Sequence, residues 1–167
     1  MSLTDTPDFD IRYSRIDDIE ALRFWLKTEG ILHWYPPSDD EELENFIRIW
    51  IGFTRFSASL TATYQDKPVG MACLYLMPYR KVAHQALFQI IVDPDHQRMG
   101  VGKALVRNLK HLAKSYFRLE LLNVEILDES PLIPLLSGLG FVEFVRQENY
   151  VKEEGKYYPR ILMEAEL

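Results

Sequence analysis

LFQIIVDPDHQRMGVGKALVRNLKHLAKS, residues 87–115, is the stretch from which the fold of this chain can be inferred. Its opening, residues 87–92, is mostly apolar and too short for a core helix, so it predicts a buried strand. Pro94 ends that strand, because its ring fixes φ and keeps Asp93 out of the helical region. From Val101 onward apolar residues recur at helical spacing. The stretch therefore predicts strand, turn and helix in that order.

Gly100 and Gly102 lie where the turn meets the helix. Glycine allows a bulky ligand to approach the backbone closely. The first N–H groups of a helix have no partner within it, and the helix dipole adds positive potential there. These residues predict an anion-binding turn suited to phosphate. The basic residues that follow are either a solvated helix face or, for Lys103 and Arg107, further contacts to phosphate.

Two common nucleotide-binding turns do not match this stretch. A Walker-type loop requires glycine where the chain has Gln97, and Ser or Thr where it has Ala104. A dinucleotide fingerprint requires Gly or Ala where the chain has Leu105. Both interpretations are excluded by side chains at fixed positions.

The pattern that remains, Gln97-x-x-Gly100-x-Gly102 after a strand, resembles the acetyl-CoA signature of the GNAT family of N-acetyltransferases. The later triplet Leu139-Gly140-Phe141 is similar to a second family signature, the end of a short helix. The resemblance implies acetyl-CoA as cofactor and acetyl transfer to an amine as the reaction.

Composition sets limits on the class of protein. The chain has 167 residues, 47% of them hydrophobic, with a net charge of −6 and a single cysteine, Cys73. We expect one domain over residues 1–167, with residues 1–8 a flexible N-terminus. No secretory signal is recognisable, and an internal disulfide is impossible, so the expected location is the cytoplasm. The acidic balance argues against nucleic acid, and no membrane span is predicted.

Periodicity along the rest of the chain predicts the remaining elements. The first helix is expected to begin at a cap, Asp17 or Asp18, and the second at a capping box formed by Ser38 and Glu41. The predicted elements are a strand over 9–13, helices to about Lys27 and Phe53, strands over 59–64 and 69–76 around a turn at 65–68, a strand over 119–127, a short helix to Leu139, and a hairpin of 141–151 with 157–165.

The resulting order is β-α-α-β-β-β-α-β-α-β-β, which is that of the GNAT fold along nearly the whole chain. The fold class is α/β (α+β), with a mixed, mostly antiparallel sheet. The two strands flanking the long helix should be parallel, since a helix crosses over between them. The resemblance implies that these two strands splay apart around the coenzyme.

The resemblance also assigns residues to the coenzyme. The backbone N–H of Ile91 or Val92, with Val92 preferred, is expected to stabilise the oxyanion that forms on the thioester. The expected coenzyme-binding residues are Ile90, Ile91, Val92, Gln97, Arg98, Met99, Gly100, Val101, Gly102 and Lys103. No metal site is predicted.

The acceptor side is less defined. In the family, the helices after the first strand form one wall of the acceptor site, so the aromatic loop here, with the helix before it, supplies candidates. The candidate substrate-binding residues are Trp25, His33, Trp34 and Tyr35. The alternative is that the aromatics pack beneath a loop.

The sequence departs from the family at the acid–base positions. Gln89 stands where many members carry a glutamate base, so Glu125 is the candidate base among several carboxylates and histidines. Alignment on Gly140 and Phe141 places the usual tyrosine acid at Leu136, which can donate no proton, and the usual asparagine at Glu129.

The function implied is an acetyl-CoA-dependent N-acetyltransferase that acts on a primary amine of a small molecule, amino acid or peptide by direct attack in a ternary complex. The alternative is a catalytically silent acetyl-CoA-binding or sensing module on the same fold. The expected partner is the amine substrate, and a homodimer is left open.

Overall fold

The computed structural model describes residues 9–167, which form a seven-stranded sheet and four α-helices in the predicted order. The flexible segment predicted over residues 1–8 lies outside the described residues. The strands are β1 Asp10–Tyr13, β2 Ser59–Tyr64, β3 Lys67–Leu76, β4 Gln85–Val92, β5 Leu121–Leu127, β6 Val142–Glu153 and β7 Lys156–Glu166, and the helices are α1 Ile19–Leu26, α2 Asp40–Gly52, α3 Val101–Ser115 and α4 Leu132–Gly138.

Helices cover both faces of the sheet, whose strand order is β1-β2-β3-β4-β5-β7-β6. One core cluster joins the apolar side of α3, including Leu105 and Leu109, to the sheet and to Leu136 of α4. A second cluster joins α1 and α2 to the opposite face around Trp50 and Cys73. None of the helices in the described part of the chain is both long and apolar enough to cross a membrane.

The predicted mixed sheet is confirmed, with β4 and β5 parallel and the remaining neighbours antiparallel. The parallel pairing is short. It begins at Gln85 opposite Leu121 and ends at Leu87 opposite Asn123. Beyond that point each strand continues to pair only on its other side, so a gap opens between residues 88–92 and 124–127.

Both predicted helix caps are wrong in detail. The cap of α2 is Asp39, whose side chain accepts a hydrogen bond from the Glu42 N–H at 2.8 Å. The Glu42 side chain accepts from the Ser38 N–H, whereas a capping box would require it to accept from the Asp39 N–H. At α1 neither Asp17 nor Asp18 caps the helix through its side chain, because a 3₁₀ turn over residues 16–18 precedes it.

The side chain of Asp18 instead holds β1 and β2 to the start of α1. It is 4% exposed. Arg12 Nη1 and Nη2 donate to its two oxygens at 2.8 and 2.9 Å, and the Arg15 N–H and the Thr61 hydroxyl donate to Oδ2. Burial acts to raise the pKa of Asp18, but these donors outweigh it and the pKa lies below its usual value. The charged carboxylate therefore stabilises the fold.

We expect Asp18→Asn to lower the free energy of unfolding by about 1–3 kcal/mol at neutral pH, because it weakens charge-assisted hydrogen bonds in a buried position. A carboxyl whose pKa is depressed by folding stabilises the native state above the unfolded pKa of about 3.9, and that contribution disappears as pH falls through the folded value. The difference between the two proteins should thus shrink below about pH 4. Urea unfolding at pH 7 and pH 3 measures it.

Asp17→Asn is the matched control, since Asp17 is exposed and adjacent to Asp18. It should leave the free energy of unfolding within about 0.5 kcal/mol. Equal losses in the two variants, or a loss in Asp18→Asn that does not change with pH, would contradict the role of this ion pair.

Candidate active site

A cavity of about 670 Å³ fills the gap between β4 and β5. Its walls are the diverging strands, the turn before α3, and the side of α4 that carries Leu132 and Leu135. The residues predicted to bind the coenzyme all line it except Met99. We call this space the coenzyme cavity.

The turn before α3 presents backbone donors with no acceptor. Among the described residues, the N–H groups of residues 97–103 have no hydrogen-bond acceptor, and the first N–H to find one is that of Ala104, which donates to the Gly100 carbonyl at 3.0 Å. Arg98 and Gly100 hold left-handed conformations, with φ of +62° and +89°, which bend the chain around these groups. A run of free N–H groups at the start of a fifteen-residue helix fits a diphosphate.

Gly102 is glycine because α4 and β4 approach it closely. A Cβ built there would lie 3.0 Å from Leu135 Cδ2 and 3.7 Å from Val92 Cγ2, and both of those residues line the coenzyme cavity. A Cβ at this position would therefore require the Leu135 side chain to shift by a few tenths of an ångström, and a larger side chain would displace more of this wall of the cavity.

Strand register indicates which N–H of β4 faces the gap. Asp93 donates its N–H to the Val69 carbonyl of β3 at 2.8 Å. Because alternate residues of a strand direct their backbone groups to opposite sides, Ile91 bonds to β3, whereas Ile90 and Val92 direct theirs away from it. The Ile90 carbonyl accepts a hydrogen bond from the Tyr35 hydroxyl at 2.7 Å, as this alternation requires.

A second cavity, of about 540 Å³, adjoins the first on the side of the loop between α1 and α2. That loop and the tip of the β6–β7 hairpin form its walls. We call it the acceptor cavity. The two cavities meet at residues that line both: Trp34, Tyr35, Gln89, Glu125 and Ile126.

A histidine–carboxylate hydrogen bond and an ion pair are built into the acceptor cavity and its wall. His33 Nδ1 lies 3.0 Å from Glu153 Oε2, and Arg160 Nη1 donates to Glu125 Oε2 at 3.1 Å. The Arg160 guanidinium also stacks on the Tyr150 ring, with 3.6 Å between its Cζ and the ring centroid. The charges in this wall are therefore largely paired, and Glu153 belongs to a strand 120 residues away from His33 in sequence.

The structure brings together most, but not all, of the predicted substrate-binding residues. His33, Trp34 and Tyr35 line the acceptor cavity. Trp25 does not join them, because it is 2% exposed and packs in the core between α1, α2 and the sheet. The phenol of Tyr35 stays protonated, since burial raises its pKa far above the usual range.

Leu136, where the alignment places the family's tyrosine, does not line the coenzyme cavity. Its side chain is fully buried against α3 and Phe141, and it lines neither cavity. On a helix, residues three apart share a face, and it is Leu132 and Leu135 that face the coenzyme cavity. The hairpin residues Tyr150 and Glu153 of the acceptor cavity were missed, since no local pattern points to them.

The basic residues of α3 and of the turn before it have different surroundings. Lys103 and Arg98 line the coenzyme cavity and are exposed. Lys110, by contrast, donates to the Leu139 carbonyl at 2.8 Å and lies 5.5 Å from the centroid of the Phe141 ring. It therefore caps the end of α4, while Lys114 is exposed with no ion pair to a described residue.

The chain resembles known acetyltransferases in sequence and structure. A model of the acetyltransferase (GNAT) family matches residues 19–141. A glucosamine 6-phosphate N-acetyltransferase of Trypanosoma brucei brucei is 28% identical over 155 residues, which cover 87% of this chain and 97% of that one.

Solved structures share the fold. The GNAT-family acetyltransferase of Streptococcus pneumoniae superposes with a TM-score of 0.77 at 20% identity, covering 96% of this chain and all of that one. A protein of Salmonella typhimurium, described as an acetyltransferase and solved with its cofactor acetyl-CoA, has a TM-score of 0.77 at 18% identity, covering 95% and 94%.

We expect Gly102→Val to weaken acetyl-CoA binding at least tenfold, because the added atoms push Leu135 or Val92 into the coenzyme cavity. Isothermal titration calorimetry with coenzyme A measures the change. Gly52→Val is the matched control, since a Cβ there meets nothing within 4 Å and φ is −57°. Equal affinities for the two variants, with unchanged circular dichroism, would reject the assignment of the turn.

Arg98→Ala or Lys103→Ala should weaken coenzyme A by about 1–3 kcal/mol, the usual contribution of hydrogen bonds to a charged group. Lys114→Ala, about three turns beyond Lys103 on the same helix, should change the affinity by less than about 0.3 kcal/mol at 0.15 M salt, where charges are screened over about 8 Å. Uniform small losses in all three variants would indicate a diffuse positive field instead of direct contacts.

Proposed function

Because the chain belongs to the acetyltransferase (GNAT) family, we propose that it acetylates the primary amine of a small molecule, amino acid or peptide by direct attack in a ternary complex. It is an N-acetyltransferase, and acetyl-CoA is its acetyl donor. The observation that carries the proposal is that two cavities meet at one point of the sheet, so that donor and acceptor can be bound together.

The junction of the cavities supports direct transfer. Acetyl-CoA would supply the acetyl thioester, and the residues that line the gap, among them Ile90 and Val92 of β4, would hold it. The Val92 N–H is directed away from β3, and β4 does not pair with β5 beyond Leu87. We therefore propose this N–H as the hydrogen-bond donor to the oxyanion. A fixed backbone dipole serves this role without regard to the side chain, so valine is compatible with it.

The departing thiolate needs a proton, and Leu136 can supply none. The attacking nitrogen must shed a proton when the C–N bond has formed and the C–S bond breaks. We propose that this proton reaches the sulfur, which balances the step without a tyrosine. Water at the cavity mouth can serve as the relay.

The acceptor cavity favours a cationic amine. Its carboxylates, Glu125, Glu153 and Glu154, outnumber its one lysine, Lys152, and the nearby guanidinium of Arg160 is held by Glu125 and the Tyr150 ring. A phosphorylated acceptor, such as the one in the name of the trypanosomal relative, requires a cation that is free to bind it. An alkyl ammonium beside Trp34 and Tyr150 would instead find carboxylates and aromatic faces.

Glu125, the predicted base, is better suited to attraction than to proton removal. One of its oxygens, Oε2, already accepts a hydrogen bond from Arg160 Nη1 at 3.1 Å, which keeps the carboxylate in place. Since it lines both cavities, we propose that it orients the substrate ammonium toward the thioester.

The test is coenzyme A release with a panel of alkyl diamines, amino acid amides, short peptides and glucosamine 6-phosphate. We expect cationic amines to give the highest kcat/KM, and Glu125→Gln to raise their KM about tenfold, equivalent to about 1.4 kcal/mol. Glu129→Gln is the control, because Glu129 is exposed and lines neither cavity. A preference for glucosamine 6-phosphate would contradict the charge argument, and no turnover with any amine would contradict the proposed acetylation.

A further inference from the structure

The hydrogen bond between His33 and Glu153 gives the acceptor cavity a proton acceptor. A carboxylate can only accept hydrogen bonds, so at 3.0 Å from Glu153 Oε2 the Nδ1 atom of His33 carries a proton. In the neutral ring the lone pair is then on Nε2. A carboxylate behind an imidazole thus fixes its tautomer and stabilises the charge that appears when Nε2 takes up a proton.

The ring is also held in place by aromatic neighbours. The centroid of His33 lies 4.7 Å from that of Trp34 and 5.0 Å from that of Tyr158, with both contacts edge-on. Trp34 belongs to the same loop, and Tyr158 belongs to β7, so two separate parts of the chain fix one imidazole. The His33 side chain keeps 29% of its surface exposed, which leaves a path for a proton to solvent.

The other ionisable groups around the acceptor cavity are mostly acidic. The hairpin contributes Glu153, Glu154 and Lys152, and β5 contributes Glu125, which is paired with Arg160. The Lys152 ammonium is directed to the Tyr157 ring, 5.5 Å from its centroid. The balance of charge around His33 therefore favours a substrate cation.

A second pair of the same chemistry provides a contrast. His96 Nδ1 lies 2.9 Å from Asp93 Oδ2, but the two residues are three apart in one turn, and neither lines a cavity. That contact closes a local turn. The His33 pair instead spans 120 residues and lies in the wall of the acceptor cavity, so local chain geometry does not account for it.

We propose that His33 is the general base that deprotonates the substrate ammonium, and that Glu153 is the positioning residue behind it. The proposal rests on the proposed acetylation of an amine. His33 Nε2 takes one proton from R–NH₃⁺, directly or through one water. The nitrogen lone pair attacks the thioester carbon, the C–S bond breaks, and the second proton shed by the nitrogen reaches the thiolate. The proton on His33 passes to solvent, so charge and atoms balance.

The experiment compares His33→Gln with the unchanged protein, using the best alkylamine of the panel across pH 6.5–10. An amine with a pKa of about 10.4 is free in roughly one molecule in 2,500 at pH 7, and that fraction rises tenfold with each pH unit. We expect kcat/KM of His33→Gln to be about a hundredfold below that of the unchanged protein at pH 7. The ratio should approach one near pH 10, where the substrate no longer needs a base.

Two controls separate this role from a structural one. Hydroxylamine, a much weaker base than an alkylamine, should be acetylated by His33→Gln within threefold of the unchanged protein. His111→Gln, on the exposed side of α3, should behave as the unchanged protein does at every pH. Glu153→Gln should show a smaller loss with the same dependence on pH and with little change in KM.

Three results would overturn the assignment of His33. They are a His33→Gln variant within threefold of the unchanged protein at pH 7, a loss that is constant with pH, or an equal loss with hydroxylamine. Absence of turnover by the unchanged protein with every amine is a different result, since it would remove the proposed acetylation itself. Coenzyme A affinity measured on the same variants shows whether the fold and the coenzyme cavity are intact.

Discussion

The structure depends on how few hydrogen bonds join β4 to β5. The two parallel strands pair only from Gln85 to Leu87. Beyond this point the backbone groups on the facing edges of the two strands border a gap. Each buried polar group left unpaired costs about 1–3 kcal/mol, so the gap must be supplied with partners. The Tyr35 hydroxyl supplies one by donating to the Ile90 carbonyl. A ligand with amides and a thioester can supply the remaining hydrogen-bond partners. The interruption of the sheet therefore creates a binding site.

The sheet on either side explains why the gap persists. β4 is held along its other edge by β3, over pairs from Gly70–Val92 to Leu76–Ala86, and β5 is held in the same way by β7. The helix that connects the two strands buries Leu105 and Leu109 against the sheet and fixes where its own first turn lies. This packing places the free N–H groups before Ala104 at the mouth of the gap, and it does not depend on a bound ligand.

Local sequence patterns predicted most of the strands and helices and the turn before α3. The alternation of strands and the spacing of Val101, Leu105 and Leu109 are set by burial against one face, which a single sequence displays directly. The predictions that failed concern side chains whose contacts depend on small differences in local geometry or on residues distant in sequence. Asp39 rather than Ser38 caps α2, and although Asp18 is the N-cap residue of α1, its side chain is bound by Arg12 and makes no cap hydrogen bond to that helix. Phe24 lies among the apolar residues of α1 but is 70% exposed, since periodicity cannot fix the width of the buried stripe.

The sequence predicts the coenzyme cavity better than the acceptor cavity, for a physical reason. Coenzyme contacts come from one continuous stretch, whose backbone N–H groups act regardless of most side chains. The acceptor cavity is assembled from the loop that carries His33 and from a hairpin that carries Glu153, and only the closed sheet brings them to 3.0 Å. Side chains of these two segments can change without disturbing the glycines at 100 and 102. The choice of acceptor can therefore vary on a fixed coenzyme turn, and an acceptor has to be inferred from three-dimensional neighbours.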